Sequence, residues 1–247
     1  ATSAKNLVLI GDQMQLSQPI RAKHNGYARK SSLDFVLENL DTIPPEKGIF
    51  LNTTRRLNKK ICKFISDSFY ESRLTPHEEA TSRSVKLKLD PIKDEGIFYV
   101  PIDHIGCSQR SDEEADLIEK TYNKIIDKEF KVEDKEGQIS PKDIMVVAPY
   151  NAQANNIRER LNKKYKDDVR VGTIDLFQGQ EAKIVLISMT TSDVESLPRH
   201  KDFFFSRNRL NVAISRAQCV AIIIFNEKLL LASTNSIEEM KLMNNFC

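Results

Sequence analysis

Along most of this chain, apolar runs of strand length alternate with runs of helix length, and that alternation constrains the fold more than any other feature. Ile144–Ala148 reads as a strand, Asn151–Lys164 as a helix, and Arg170–Ile174 and Ile184–Met189 as strands. Arg207–Ala217 then reads as a helix and Val220–Phe225 as a strand. Strands this uniformly apolar are buried on both faces, so the pattern predicts an α/β fold: a parallel sheet with helices on both faces. The rhythm begins earlier. Asn58–Tyr70 predicts an amphipathic helix with Ile61, Phe64, Ile65, Ser68 and Phe69 at helical spacing. Ile97–Ile102 predicts a strand, and Asp112–Lys128 a helix whose opening acids (Asp112, Glu113, Glu114) suit the helix dipole. Gly48–Leu51 reads as a short strand, Leu74–Leu89 as a polar surface excursion and Ile237–Phe246 as a last helix. In such sheets ligands sit at the carboxyl ends of strands.

The beginning of the chain differs. Lys5–Ile10 has the composition of a buried strand and runs straight into Gly11-Asp12. A polar loop follows to Ser31, then a helix over Ser32–Asn39 with Ser31 or Ser32 as its N-cap. Pro44-Pro45 breaks the chain, which places a boundary between residues 1–45 and 46–247. A parallel-type strand so near the start lacks neighbours, which predicts a piece of a longer protein.

Lys and Arg number 37 against 35 Asp and Glu, a net +2, so any nucleic-acid binding has to come from local patches. Cys62, Cys107, Cys219 and Cys247 are far apart with no C-x-x-C spacing, which implies neither a zinc site nor a disulfide framework. They read as the reduced thiols of an intracellular protein, cytoplasmic, or nuclear in a eukaryote. No run approaches the ~18 apolar residues of a membrane helix, and no secretory leader opens the chain, so no membrane partner is expected.

Polar groups interrupt the apolar pattern at particular places. VGTIDLFQGQE, residues 171–181, crowds Thr173, Asp175, Gln178, Gly179 and Glu181 into one turn between two strands, with Leu176 and Phe177 available to pack inward. RNRLNVAISRA, residues 207–217, carries Leu210, Ala213 and Ala217 as a core stripe and Arg209 and Arg216, seven apart, on another side of the helix. Glycine, carboxylate and amide opposite two arginines are suited to hold a nucleotide and sense its terminal phosphate. GDQMQL, residues 11–16, is either a plain strand-ending turn or a place where the neutral amide of Gln15 senses a phosphate. Arg55 and Arg56 lie at a strand-to-helix junction, where cations oppose the helix dipole and call for an anion. Tyr150 and Gln153, in APYNAQ, are an ordinary loop and cap or a base-stacking ring with an amide for a sugar–phosphate backbone. No G-x-x-x-x-G-K-[ST] segment occurs in the 247 residues.

In that order GDQMQL, LNTTRRLNKKICKFIS, APYNAQ, VGTIDLFQGQE and RNRLNVAISRA resemble motifs III, IV, IVa, V and VI of superfamily 1 helicases. The branch they resemble holds the nonsense-mediated-decay RNA helicase and the replication nuclease-helicase, with bacterial members, some fused to a RecB-like nuclease, nearer still. The resemblance covers Lys5 to Phe225 and is most specific in the last two motifs. It implies that residues 1–45 are the tail of a first RecA-like domain and residues 46–247 a second. Gln15 would touch the γ-phosphate, and Arg56 and Arg216 would be arginine fingers. Glu181 would bind the ribose, with Gly179 and Arg209 on the nucleotide side. Thr173, Tyr150 and Gln153 would face the strand. ATP and magnesium are the implied cofactors, held together with the domain that carries the phosphate loop. Single-stranded or duplex nucleic acid is the implied partner, DNA ahead of RNA, with a fused nuclease domain upstream. Where the family's motif IV has an aromatic before its arginine and His-Pro after it, this chain has Arg55 and Asn58-Lys59. Two other readings use the same fold: an inactive nucleic-acid scaffold, or an interaction domain that docks through 74–95. Keeping both arginines argues against the scaffold.

Overall fold

The computed structural model describes residues 4–16, 30–38, 40–132, 135–193 and 206–231. In chain order its helices are α1 (Ser32–Leu37), α2 (Lys59–Phe69), α3 (Glu78–Thr81), α4 (Asp112–Ile125), α5 (Asn151–Tyr165) and α6 (Arg207–Ile214). Its strands are β1 (Thr53–Thr54), β2 (Thr75–Pro76), β3 (Ser84–Lys86), β4 (Gly96–Pro101), β5 (Glu129–Val132), β6 (Lys135–Gln138), β7 (Ile144–Val147), β8 (Arg170–Gly172), β9 (Ala182–Ser188) and β10 (Ala217–Phe225).

The centre is a five-stranded sheet in the order β4-β10-β9-β7-β8, with every pairing parallel. Successive side chains of a strand point to opposite faces, and here both faces are dry. Ile144, Val146, Ile184, Leu186, Val220, Ile222 and Ile224 pack on one side with Ile118 and Tyr122 of α4 and Ile157 and Leu161 of α5. Met145, Val147, Val185, Ile187, Ala221 and Ile223 pack on the other with Ile61, Ile65 and Phe69 of α2 and Leu210 and Ala213 of α6. That two-sided burial is why these strands are continuous apolar runs. The expected parallel α/β sheet, with its helix layers, is the fold observed. Among the described residues no helix is long and apolar enough to cross a membrane.

Three expected elements are corrected. Lys5–Ile10 is not a strand. It has no partner edge among the described residues, and Leu7, Val8 and Ile10 are exposed; a strand without a ladder has nothing to satisfy its backbone. Gly48–Leu51 is likewise unpaired, and the strand lies further on, where Thr53 and Thr54 pair with Thr75 and Pro76. Leu74–Leu89 is more than a surface excursion, because Ala80, Val85 and Leu87 are fully buried and β3 pairs with β5. The β5-β6 hairpin was missed because charges fill its sequence and Phe130 and Val132 are its only large apolar groups. The predicted final helix at 237–246 lies outside the described residues.

Two helix starts follow their sequence signals closely. Ser31 caps α1 in a capping box with Asp34. Asn58 caps α2 through Ile61 N (3.0 Å), and its Nδ2 donates to Cys219 O in β10 (2.6 Å). Asn58 is fully buried, so it fixes the start of α2 on the amino end of β10. Asn58→Ala should lower the unfolding free energy by about 2 kcal/mol, through loss of a cap and an orphaned buried carbonyl. Urea titration checks this, and a change within experimental error would show that α2 is held without that bond.

Candidate functional site

Parallel pairing aligns Ala182 of β9 with Ala217 of β10, and Ala182 N donates to Arg216 O (3.0 Å). The residues just before those strands, Glu181 and Arg216, therefore stand side by side at the amino edge of the sheet. Asn58 brings the chain before α2 to the same edge, since its backbone N donates to Gln218 O (3.2 Å). Arg56, two residues earlier, reaches across. Its Nε donates to Glu181 Oε2 at 2.8 Å and its Nη1 to Ser215 O at 3.2 Å. The other carboxylate oxygen, Glu181 Oε1, accepts from Gln218 Nε2 (2.8 Å). The anion that Arg55 and Arg56 call for is thus split between two acids: Arg56 has Glu181, and the exposed Arg55 lies 3.7 Å from Glu79.

Arg216 is 2% exposed. Its Nε donates to Val212 O (3.1 Å) and its Nη1 to Gln180 O (3.0 Å), so two of its donors go to carbonyls. Burial pulls its pKa down to about 10, and the neighbouring Arg56 cation pushes the same way. It remains charged at neutral pH. Two guanidiniums therefore lie together with Glu181 as their nearest carboxylate, and such a site favours a further anion.

This arrangement corrects two expectations. Helix α6 ends at Ile214, so Arg216 belongs to the turn that opens β10 and does not share a helix side with Arg209. Arg209, one-third exposed, pairs instead with Asp175 Oδ2 (3.3 Å). The arginine–carboxylate cluster also occupies the amino ends of β9 and β10, whereas carboxyl ends were expected. The carboxyl side of β9 is filled by the protein itself. Glu114, fully buried, accepts from Ser188 Oγ (2.5 Å) and Thr190 N (2.8 Å), and its Oε1 meets His104 Nε2 at 3.1 Å.

Gly179 takes φ +78° with nothing within 4 Å of a Cβ built there, so the turn requires its backbone freedom rather than its small size. Phe177 packs inward, but Leu176 is exposed. Gln15 reaches the cluster through intermediaries. Its Nε2 donates to Asp12 Oδ2 (2.8 Å), which also accepts from Tyr70 Oη (2.7 Å). Asn211 Nδ2 donates to Tyr70 Oη (3.0 Å) and to Met14 O (2.8 Å). Tyr70 feels the Arg216 charge, although burial and Asp12 dominate and push its hydroxyl well above the usual tyrosine range. Tyr70 was missed as a linking group because it sits at core spacing in the sequence, whereas Asn211 stands out there as a polar interruption of the apolar pattern without showing its partners.

The groups expected to face a nucleic-acid strand divide. β7 and β8 are neighbours, with Val147 opposite Gly172, so Tyr150 and Thr173 leave adjacent carboxyl ends. Thr173 is half-buried and makes no cap hydrogen bond to the 3-10 turn it heads. Tyr150 is the N-cap residue of α5, and its side chain caps nothing. Gln153 is a correction. It is fully buried, accepts from Ser111 N (2.9 Å) and donates to Ser111 O (3.0 Å) and Ser188 Oγ (3.1 Å), which leaves its amide nothing to offer a strand.

Comparison with known proteins follows the same lines. The family described as AAA domain matches residues 30–228. The DNA polymerase alpha-associated DNA helicase A of Schizosaccharomyces pombe is 32% identical over 222 residues, covering 85% of this chain and 32% of that protein. An uncharacterized ATP-dependent helicase of Methanocaldococcus jannaschii is 30% identical over 239 residues, 92% of this chain and 33% of the relative. The Regulator of nonsense transcripts 1 homolog of Drosophila melanogaster is 27% identical over 240 residues, 92% of this chain and 19% of the relative. The chain spans about a third or less of the length of these relatives. Among solved structures the PRRSV helicase aligns with 71% of this chain and 23% of its own at 17% identity and a TM-score of 0.31, a likeness that carries no argument.

The electrostatics of the cluster can be tested without a ligand. Glu181→Gln leaves Arg56 beside Arg216 with no carboxylate between them. Both members of the Arg56–Glu181 pair are partly exposed, so the expected loss of stability is at most about 1 kcal/mol at low ionic strength. It should shrink as salt is raised. Urea unfolding at two salt concentrations measures it, and a loss independent of salt would mean that repulsion is not its source.

Proposed function

The chain belongs to the AAA domain family, a superfamily 1 helicase domain, and on that premise we propose that it is the second RecA-like motor domain of an ATP-dependent helicase. One observation carries this reading: Arg56, from the segment before α2, pairs with the Glu181 carboxylate at the amino ends of β9 and β10, where the buried Arg216 guanidinium lies close enough for both charges to act on it. Two cations with one nearby counter-ion suit an approaching terminal phosphate, whose charge grows as the phosphoryl group transfers. Glu181 would hydrogen-bond the ribose, with Gly179 and Arg209 on the nucleotide side. Gln15 would report the γ-phosphate to this domain through Asp12, Tyr70 and Asn211. ATP and its magnesium ion would be cradled mainly by a phosphate loop on a first RecA-like domain, of which residues 1–45 are the tail and after which 46–247 form the second. By themselves the 247 residues should not hydrolyse ATP, since no G-x-x-x-x-G-K-[ST] loop, whose backbone N–H groups and lysine would cradle the β- and γ-phosphates, occurs among them.

Thr173 and Tyr150, at the adjoining ends of β8 and β7, are the groups we assign to a single strand. A motor that moves without reading sequence should touch backbone rather than base edges. DNA is the favoured partner, in keeping with the Schizosaccharomyces pombe relative being named a DNA helicase. A nuclease domain upstream and an intracellular location complete the reading.

In the full-length protein Arg216→Ala or Arg56→Ala should lower nucleic-acid-stimulated ATP turnover by about 10³ or more, with single-strand affinity nearly unchanged. Normal turnover in both variants would remove the assignment. Thr173→Ala should weaken single-strand affinity by roughly tenfold or less for every sequence tried, and leave nucleotide affinity alone. If it abolished nucleotide binding and spared the strand, Thr173 would be on the wrong side of the cleft.

A further inference from the structure

Arg170 opens β8 at the amino edge of the sheet, and no motif noted in the sequence includes it. Its Nη1 donates to Glu181 O at 3.0 Å and to Lys142 O at 2.9 Å, and its Nη2 donates to Gln180 Oε1 at 3.0 Å. Gln180 Nε2 in turn donates back to Leu176 O (3.2 Å). From the other side, Arg216 Nη1 donates to Gln180 O (3.0 Å). Consecutive carbonyls, 180 and 181, are thus each gripped by a different guanidinium, one from the turn before β10 and one from the start of β8. The stretch is also tied by Gln180 N to Phe177 O (3.0 Å) and by Arg56 and Gln218 on the Glu181 carboxylate, and the two guanidiniums are what hold its carbonyls. Gln178, Gly179, Gln180 and Glu181 are all exposed, and Gly179 lends that turn backbone freedom. Burial lowers the pKa of Arg170, so placing a cation there has a cost that a merely decorative surface arginine would not incur.

We propose that Arg170 is a positioning residue: by clamping the Glu181 carbonyl and the Gln180 side-chain amide it sets where the Glu181 carboxylate stands for Arg56 and for the nucleotide's ribose. β8 is only three residues long, so the clamp at its amino end and Thr173 just past its carboxyl end belong to one short rigid segment. The chain from Thr173 to Glu181 then crosses from the strand-facing edge to the nucleotide-facing edge, and Arg170 fixes its far end. This inference rests on the proposed role of Glu181.

The test uses the full-length protein, with ATP titrated at saturating single-stranded DNA, for the parent and for Arg170→Ala, Arg170→Lys and Arg56→Ala, each with its melting temperature. Arg170→Ala should raise KM for ATP about tenfold with kcat within about twofold, because a displaced ribose ligand weakens ground-state and transition-state binding alike. Arg170→Lys should recover part of the loss, since an ammonium can reach one carbonyl but not the carbonyl and the amide together. An unchanged KM in Arg170→Ala would overturn the proposal. So would a loss tracking the melting temperature without rescue by lysine, which is the signature of a purely structural role. If Arg56→Ala turned over ATP normally, the reading of the cleft would fall and this proposal with it. If Arg56→Ala lost turnover while Arg170→Ala kept its KM, only the role of Arg170 would fall.

Discussion

The geometry of the site depends on one alignment: β9 and β10 start level with each other, and Asn58 ties the start of α2 to the same place. Ala182 opposite Ala217 sets Glu181 beside Arg216, and the bond from Asn58 to Cys219 O carries Arg56 over both. Three residues separated by up to 160 positions therefore have their backbones set side by side before the arginine side chains close the contacts. Each is placed by backbone pairing or by a buried cap, which are the most rigid supports a fold of this kind offers.

The same alignment concentrates charge. Arg216 is buried on carbonyls, Arg56 is partly exposed, and Glu181 lies against Arg56 with Gln218 on its other oxygen. A core built for stability alone would fill the Arg216 position with an apolar side chain, because desolvating a cation costs more than carbonyl dipoles return. Retaining it, with a second guanidinium close enough to depress its pKa, is the kind of local conflict that folds keep at sites of function. The carboxyl side of β9 shows the opposite solution, where Glu114, His104 and Ser188 satisfy one another and leave no charge in want of a ligand.

The central strands and helices were legible in the sequence to within a few residues, because burial on both faces writes itself as unbroken Ile and Val. Arg56, Arg216 and Glu181 were legible as polar interruptions of that pattern. The end of α6 was not, since the spacing of Leu210, Ala213 and Ala217 continues a helical stripe through Ser215 as if no turn intervened. Gln153 reads like a strand-contacting amide, and only the arrival of Ser111 from α4's cap shows that it is spent internally. Lys5–Ile10 is strand-like in composition, but composition cannot supply the neighbouring edge that makes a strand. Tyr70 and Arg170 act through long-range hydrogen bonds that no local spacing encodes.

The two edges of the sheet do different things, and the loop between β8 and β9 is the element that visits both. It leaves the sheet at Thr173, beside Tyr150, and returns at Glu181, beside Arg56 and Arg216. Its interior is anchored by Phe177 in the core, and its last residues are held by Arg170 and Arg216. What lies between those anchors is a single 3-10 turn and a glycine with positive φ. A displacement of Thr173 by a strand bound there, as proposed, would have two ways to be absorbed: bending at Gly179, or transmission through β8 to the clamped peptide. With β8 only three residues long and paired to β7 along its length, the stiffer path runs through the strand. That path ends on the carboxylate that Arg56 binds, so under the proposed function the fold would supply a short mechanical connection between holding a strand and arranging charge around a phosphate.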